Sequence, residues 1–268
     1  MNRKFIEFIK KFIPEYFLVI VRAIFFPGRL VLLSPTYNND GLATFHVVDF
    51  MHDERFINAI KDGKKYTENR QDDFRIYIGC ALADHAQKLD GDFVECGVWL
   101  GVMSKSIINY IDFDSLKKKF WLFDTFQGIP KENMIENDGR EFNFYDNKGL
   151  HGKNNIIDKE KIKIIDLVIE KLSKNNVEIV EGIVPEALEI AKNVKVAFLH
   201  IDMNNAYPEV EAIKFFWKKI VTSGVILLDD YAYSPEYKIQ KESIDELGEK
   251  IGFSVITLPT GQGLIIKY

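Results

Sequence analysis

Three carboxylates, Asp202, Asp229 and Asp230, each follow a short apolar run. The runs are Phe198-Leu-His200-Ile-Asp202 and Val225-Ile-Leu-Leu228-Asp229-Asp230. Acids at the ends of neighbouring strands crowd one another and repel unless a cation lies between them. An all-oxygen set of this kind suits a hard ion such as Mg²⁺. A second pattern lies upstream, where Phe93-Val-Glu95-Cys-Gly97-Val-Trp-Leu-Gly101-Val-Met-Ser104 reads as strand, glycine turn and helix start. Glycines there let backbone approach a ligand closely, and a helix N-terminus offers N–H groups to an acceptor. The turn lacks the GxGxxG and GxxxxGK spacings of phosphate loops. Asp124-Thr125 ends the next apolar run. An acid about 20 to 30 residues beyond the turn can accept both hydroxyls of a ribose. Glu181-Gly182 ends a third run, where a small residue can border an adenine ring.

Those positions need a scaffold that brings strand ends together. Short apolar runs at Phe93–Cys96, Phe120–Phe123, Val177–Val180, Val196–Ile201 and Val225–Leu228 read as strands buried on both faces. Helical spacing over about 103–111, 157–174, 185–192 and 208–221 separates them. Repeating strand–helix units predict an open α/β sheet, mostly parallel, with helices on both faces. In such sheets ligands bind beyond the C-terminal strand ends, at the point where strand order reverses. Phe253 to Lys267 reads instead as strand, tight turn and strand, a terminal antiparallel β-hairpin. Two further helices are expected over 53–66 and 71–89, and 34–53 reads as a loop followed by short structure. The expected organisation is an N-terminal helical arm and cap region over 1–89, then the sheet domain over 90–268. A polar stretch at about 131–155 has the length and composition of a lid or a disordered loop.

Composition narrows the function classes. Hydrophobic residues make up 47% and charged residues 28%, as in ordinary globular proteins. The net charge of −5 supplies no basic excess for a phosphate backbone, so no nucleic-acid partner is expected. Cys80 and Cys96 sit in apolar contexts without a CxxC partner and read as buried free thiols of a cytoplasmic protein. The apolar run Phe17–Phe26 is interrupted by Arg22 and stopped by Pro27-Gly28, too short for a spanning helix. It also lacks the small-residue cleavage site of a signal peptide. Residues 1–33 then read either as an arm covering the core or a partner subunit, or as an interfacial helix touching the inner face of a membrane. A homo-oligomer is expected.

FVECGVWLG, LFDTFQGIP, VEIVEGIVPEAL, FLHIDMNNAYPEV and GVILLDDY occur in that order. Together they resemble the macrocin O-methyltransferase (TylF/MycF-type) family of class I S-adenosylmethionine-dependent enzymes, over about residues 90–268. The resemblance implies a Rossmann-like sheet ending in an antiparallel strand, and Mg²⁺-dependent methylation of a hydroxyl on a sugar or glycosylated small molecule. It implies that Glu95, Gly97 and Gly101 line the methionine end of the cofactor, with Ser104 and Thr125 among the cofactor-binding residues. Asp124 would hold the ribose, Glu181 and Gly182 would lie by the adenine, and Asp202, Asp229 and Asp230 would bind the metal. The chain departs from the family at Leu100, usually arginine, at Val102, usually glycine, and at Asn204, usually a second aspartate.

Methyl transfer from a sulfonium is an in-line displacement, and a sugar hydroxyl is a poor nucleophile at neutral pH. A metal that lowers its pKa and a carboxylate that takes its proton would make it competent. Asp202 is the expected base, with His151 in the lid as a rival, and His200 reads as a buried, hydrogen-bonded histidine. Two other classes fit parts of the pattern. One is a nicotinamide-dependent reductase, which the missing GxGxxG opposes. The other is a degenerate methyltransferase fold serving as a scaffold or membrane-associated interaction protein, which the intact acidic set opposes.

Overall fold

A computed structural model describes residues 35–67, 71–129, 163–174 and 176–268. The described chain divides into two units, met at residues 49 and 50. In the first, β1 (Tyr37–Asn39) and β2 (Leu42–Thr44) pair antiparallel. Their turn is Asp40-Gly41, both at positive φ, the backbone that a tight hairpin demands. The sequence reads here as a loop followed by short structure, and Asp40-Gly41 is the local signal for a hairpin.

The second unit holds α1 (Glu54–Gly63), α2 (Asp73–Ala86) and the large sheet. Helices α1 and α2 pack on α3 (Val102–Tyr110) and fall in the same unit as the large sheet. Their apolar faces need a partner, and α3 is where they find it. The sheet strands are β3 (Asp92–Cys96), β4 (Phe120–Asp124), β5 (Val177–Glu181), β6 (Val196–Ile201), β7 (Ile220–Leu228), β8 (Ile256–Thr257) and β9 (Gly263–Ile266). Their order is β5-β4-β3-β6-β7-β9-β8, with β3 to β7 parallel. Strand β9 runs antiparallel between β7 and β8, so the expected terminal hairpin closes the sheet. All six residues of β6 are buried, which explains why it reads as an unbroken apolar run around His200.

Strand order reverses between β3 and β6, which places the switch point beside Glu95 and Asp202. Helices α4 (Ile164–Leu172), α5 (Ala206–Trp217) and α6 (Lys238–Ile251) complete the connections. Two expectations shift. Residues Glu186–Ala191 form a 3₁₀ helix, and α6 was not anticipated. Residues 1–33 and the stretch 131–155, with His151, lie outside the described residues. Among the described residues no helix is long and apolar enough to cross a membrane. Both cysteines are fully buried and free, and burial pushes both thiols up.

Candidate active site

The parallel ladders continue past the strands and carry five chain segments to one rim. Gly97 N donates to Phe123 O, Asp202 N to Cys96 O, Asp229 N to Ile201 O and Gly182 N to Asp124 O, at 2.8 to 3.0 Å. Asp124, Gly97, Asp202 and Asp229 therefore stand side by side despite their separation in sequence. A Cβ on Gly97 would meet the Asp202 carbonyl oxygen at 1.9 Å, and Gly97 has φ +89°. Glycine is needed there so that the turn can cross the end of β6.

A cavity of about 530 Å³ opens on this rim. Gly97, Trp99, Asp124, Thr125, Glu181, Gly182 and Asp202 all line it, with Met203 and Pro208. Asp124 does more than face it. Its Oδ2 accepts from the N–H groups of Val98 at 2.7 Å and Trp99 at 2.8 Å, and its Oδ1 from Phe126 N–H at 2.6 Å. The carboxylate thus fixes the glycine turn, and an ionised carboxylate still has lone pairs for a diol. Glu181 accepts from Gln127 Nε2 at 2.9 Å, and Thr125 Oγ1 donates to Gly128 O at 2.6 Å.

A smaller cavity is lined by Glu95, Val98, Met103, Arg75, His200 and Asp229, and Gly97, Trp99 and Asp202 line both cavities. Glu95 is 2% exposed; its Oε1 lies 2.9 Å from His200 Nδ1, while Oε2 has no hydrogen-bond partner. An orphaned buried acceptor fits a cationic group such as the ammonium of an amino acid. Gly101 and Ser104 line neither cavity. The left-handed φ of Gly101 and its closeness to Leu172 account for that glycine, and Ser104 is wholly buried in α3.

Oxygens of Asp202, Asp229 and Asp230 lie within 4.8 Å of one another. Burial and the charges of Asp229 and Asp230 hold the Asp202 carboxyl well above the usual range. Burial and Asp229 likewise raise Asp230. Asp229 moves the other way: burial opposes ionisation, but Arg75 and His200 outweigh it. The three acids fit a divalent ion by chemistry, since the donors are hard and their mutual repulsion is what a cation relieves.

Several supporting residues carry no sequence motif. Arg75 Nη2 lies 2.6 Å from Asp229 Oδ2 and 2.7 Å from Asp230 Oδ1. Gln262, in the β8–β9 turn, donates to Asp229 Oδ1 at 2.9 Å, so the terminal hairpin orients an acid of the trio. Asn204 Nδ2 donates to Asp202 Oδ1 at 3.0 Å, and Tyr237 OH donates to Asn204 Oδ1 at 2.8 Å. Asn204 is held at φ 55°, and its N–H donates to Glu209 Oε1. The departure at Asn204 thus turns a charge into a fixed donor to Asp202.

His200 gives a pH prediction. Burial opposes its charge, but Asp229 and Glu95 overcome this and push the imidazole up to about 10. A raised folded-state pKa gives stability that is complete below the unfolded value near 6.5 and disappears as pH rises through about 10. Between pH 6.5 and 9.5 the wild type should lose on the order of 3 kcal/mol more stability than His200→Gln. Urea midpoints of both proteins at the two pH values measure this, and parallel midpoints would refute it.

A reversing parallel sheet, a glycine turn tied to an acid on the next strand, and an inserted antiparallel strand define a class I methyltransferase fold. Residues 68–246 match the macrocin-O-methyltransferase (TylF) family, and the chain belongs to that family of S-adenosylmethionine-dependent O-methyltransferases. Among solved structures it is similar to the O-methyltransferase NovP, at 20% identity and TM-score 0.56 over 75% of this chain and 82% of that one. The calicheamicin methyltransferase CalS11 matches at 12% identity and TM-score 0.57, over 87% and 98%. Cofactor-bound Rv0187 from MTB matches at 12% identity and TM-score 0.51, over 80% and 89%. These likenesses support the fold. No curated protein matches the chain significantly.

Proposed function

We propose that the enzyme methylates a hydroxyl of a sugar or glycosylated small molecule, with Mg²⁺ held by Asp202, Asp229 and Asp230. The observation carrying this reading is that Asp202 belongs both to the acid trio and to the wall of the large cavity. When bound, S-adenosylmethionine supplies an activated methyl group and Mg²⁺ supplies Lewis acidity toward the acceptor oxygen. Asp124 and Thr125 bind the ribose, and Glu181 and Gly182 border the adenine. Glu95 Oε2 accepts from the ammonium of the methionine end. Asp202 takes the acceptor proton on a carboxylate oxygen, and Asn204 holds that carboxylate in orientation.

The test is mass spectrometry of an acceptor library of sugar nucleotides, glycosides and lipid-linked glycans, incubated with S-adenosylmethionine and Mg²⁺. A methylated sugar product that disappears with EDTA and returns with Mg²⁺ is expected. Equal turnover in EDTA would remove the metal from the account, and methylation of non-glycosidic acceptors alone would remove the sugar. We assign residues 1–33 to contact with a second subunit of a cytoplasmic homo-oligomer. Deleting them should lower the mass measured by light scattering; unchanged mass with lost liposome co-sedimentation would place the segment at a membrane surface instead.

A further inference from the structure

Arg75 stands on α2, 154 residues from Asp229, in a stretch that no motif marks. It is 6% exposed. Besides its two carboxylate contacts, Nη2 donates to the Asp229 carbonyl oxygen at 2.5 Å. The guanidinium carbon lies 4.6 Å from the centre of the Tyr233 ring, which braces it from a second direction. A guanidinium does not lose its proton, so this positive charge is permanent. The same two acids, Asp229 and Asp230, are two of the three that converge as a cation site. His200 adds a further contact, its Nε2 lying 3.7 Å from Asp229 Oδ1. Asp202, by contrast, makes no ion pair among the described residues. Two of the three acids therefore already share a built-in cation, and the third does not.

The geometry points to Arg75 as the resident counter-ion of the trio and the residue that sets how tightly the trio takes a divalent cation. This inference rests on the reading that the trio binds such an ion. The guanidinium keeps Asp229 and Asp230 assembled without metal, and its charge opposes the arrival of a second cation. Weak, readily reversible metal binding follows, with Asp202 as the acid open to first contact.

Mn²⁺ binding to the full-length protein, stripped with EDTA and followed by calorimetry and electron paramagnetic resonance, tests this without an activity readout. Arg75→Gln removes the charge and should bind Mn²⁺ about tenfold more tightly or better, because a like charge has left the site. Arg75→Lys keeps the charge and should stay near the wild-type affinity. Unchanged or weaker binding by R75Q, with the wild type binding, would overturn the role of Arg75 and leave the metal site standing. Absence of binding by wild type and R75Q alike would overturn the metal reading, and this inference with it. Binding by R75Q alone would show that the Arg75 charge keeps the ion out of the wild type, which overturns both the metal reading and the weak, reversible binding inferred here. If R75Q is unfolded in EDTA, Mn²⁺ should restore its circular dichroism by replacing the lost charge, and failure to do so would also overturn the proposal.

Discussion

Asp124→Ala is expected to abolish measurable binding of S-adenosylhomocysteine and to lower unfolding stability by about 3 kcal/mol or more. Three backbone N–H groups converge on this carboxylate, two from the glycine turn and one from Phe126. Hydrogen bonds to an ionised acceptor are worth more than neutral ones, and partly buried donors left without an acceptor carry a desolvation cost. The turn at Val98-Trp99 also walls the large cavity, so its collapse removes part of the cofactor site along with the ribose acceptor. Asp124→Asn should be nearly as damaging, since its amide presents N–H groups to N–H groups on one side. Calorimetry with S-adenosylhomocysteine and urea unfolding measure the two effects. An affinity within about tenfold of wild type would contradict the assigned double role.

Asp202→Asn should do two opposite things. Turnover should fall by about 10² or more, because the variant has no carboxylate to accept the proton. Stability in EDTA should rise. Burial, Asp229 and Asp230 hold the Asp202 carboxyl well above the usual range, so its charged form is disfavoured in the folded protein. A raised carboxyl pKa means that stability is lost as pH climbs above the unfolded value, and a neutral amide escapes that loss. Asn also fits the space and keeps an oxygen for the Asn204 amide. Initial rates with Mg²⁺ and thermal melts in EDTA, both at neutral pH, check the two limbs. A lower melting temperature would show that the crowding of the three acids is relieved by other means.

The central strands of this site were plain in the sequence because β3, β6 and the second half of β7 are buried on both faces and read as apolar runs, while the edge strand β5 is only half-buried. The observed strands at Phe120–Asp124 and Val177–Glu181 differ from expectation only by the terminal acid. Helix α6 was harder. Its buried side is Gln240, Ile244, Leu247 and Gly248, so one polar residue and one glycine dilute the apolar stripe. Gly252, at φ +85° just after the helix, was the stop signal available. The three acids were legible because strand ends in a parallel sheet meet. Arg75 and Gln262 were not, because nothing local marks a helix arginine or a turn glutamine as a partner of Asp229. Their roles arise from the packing of α2 and the inserted hairpin against one strand end. Ser104, in the first turn of α3, is wholly buried and lines neither cavity.

A crystal structure of the enzyme with S-adenosylhomocysteine and Mn²⁺ tests the arrangement most directly. The nucleoside should lie between Asp124 and Glu181-Gly182, its sulfur turned toward Asp202, with an anomalous peak among Asp202, Asp229 and Asp230. A nucleoside seated elsewhere, or a peak away from those acids, would contradict the site.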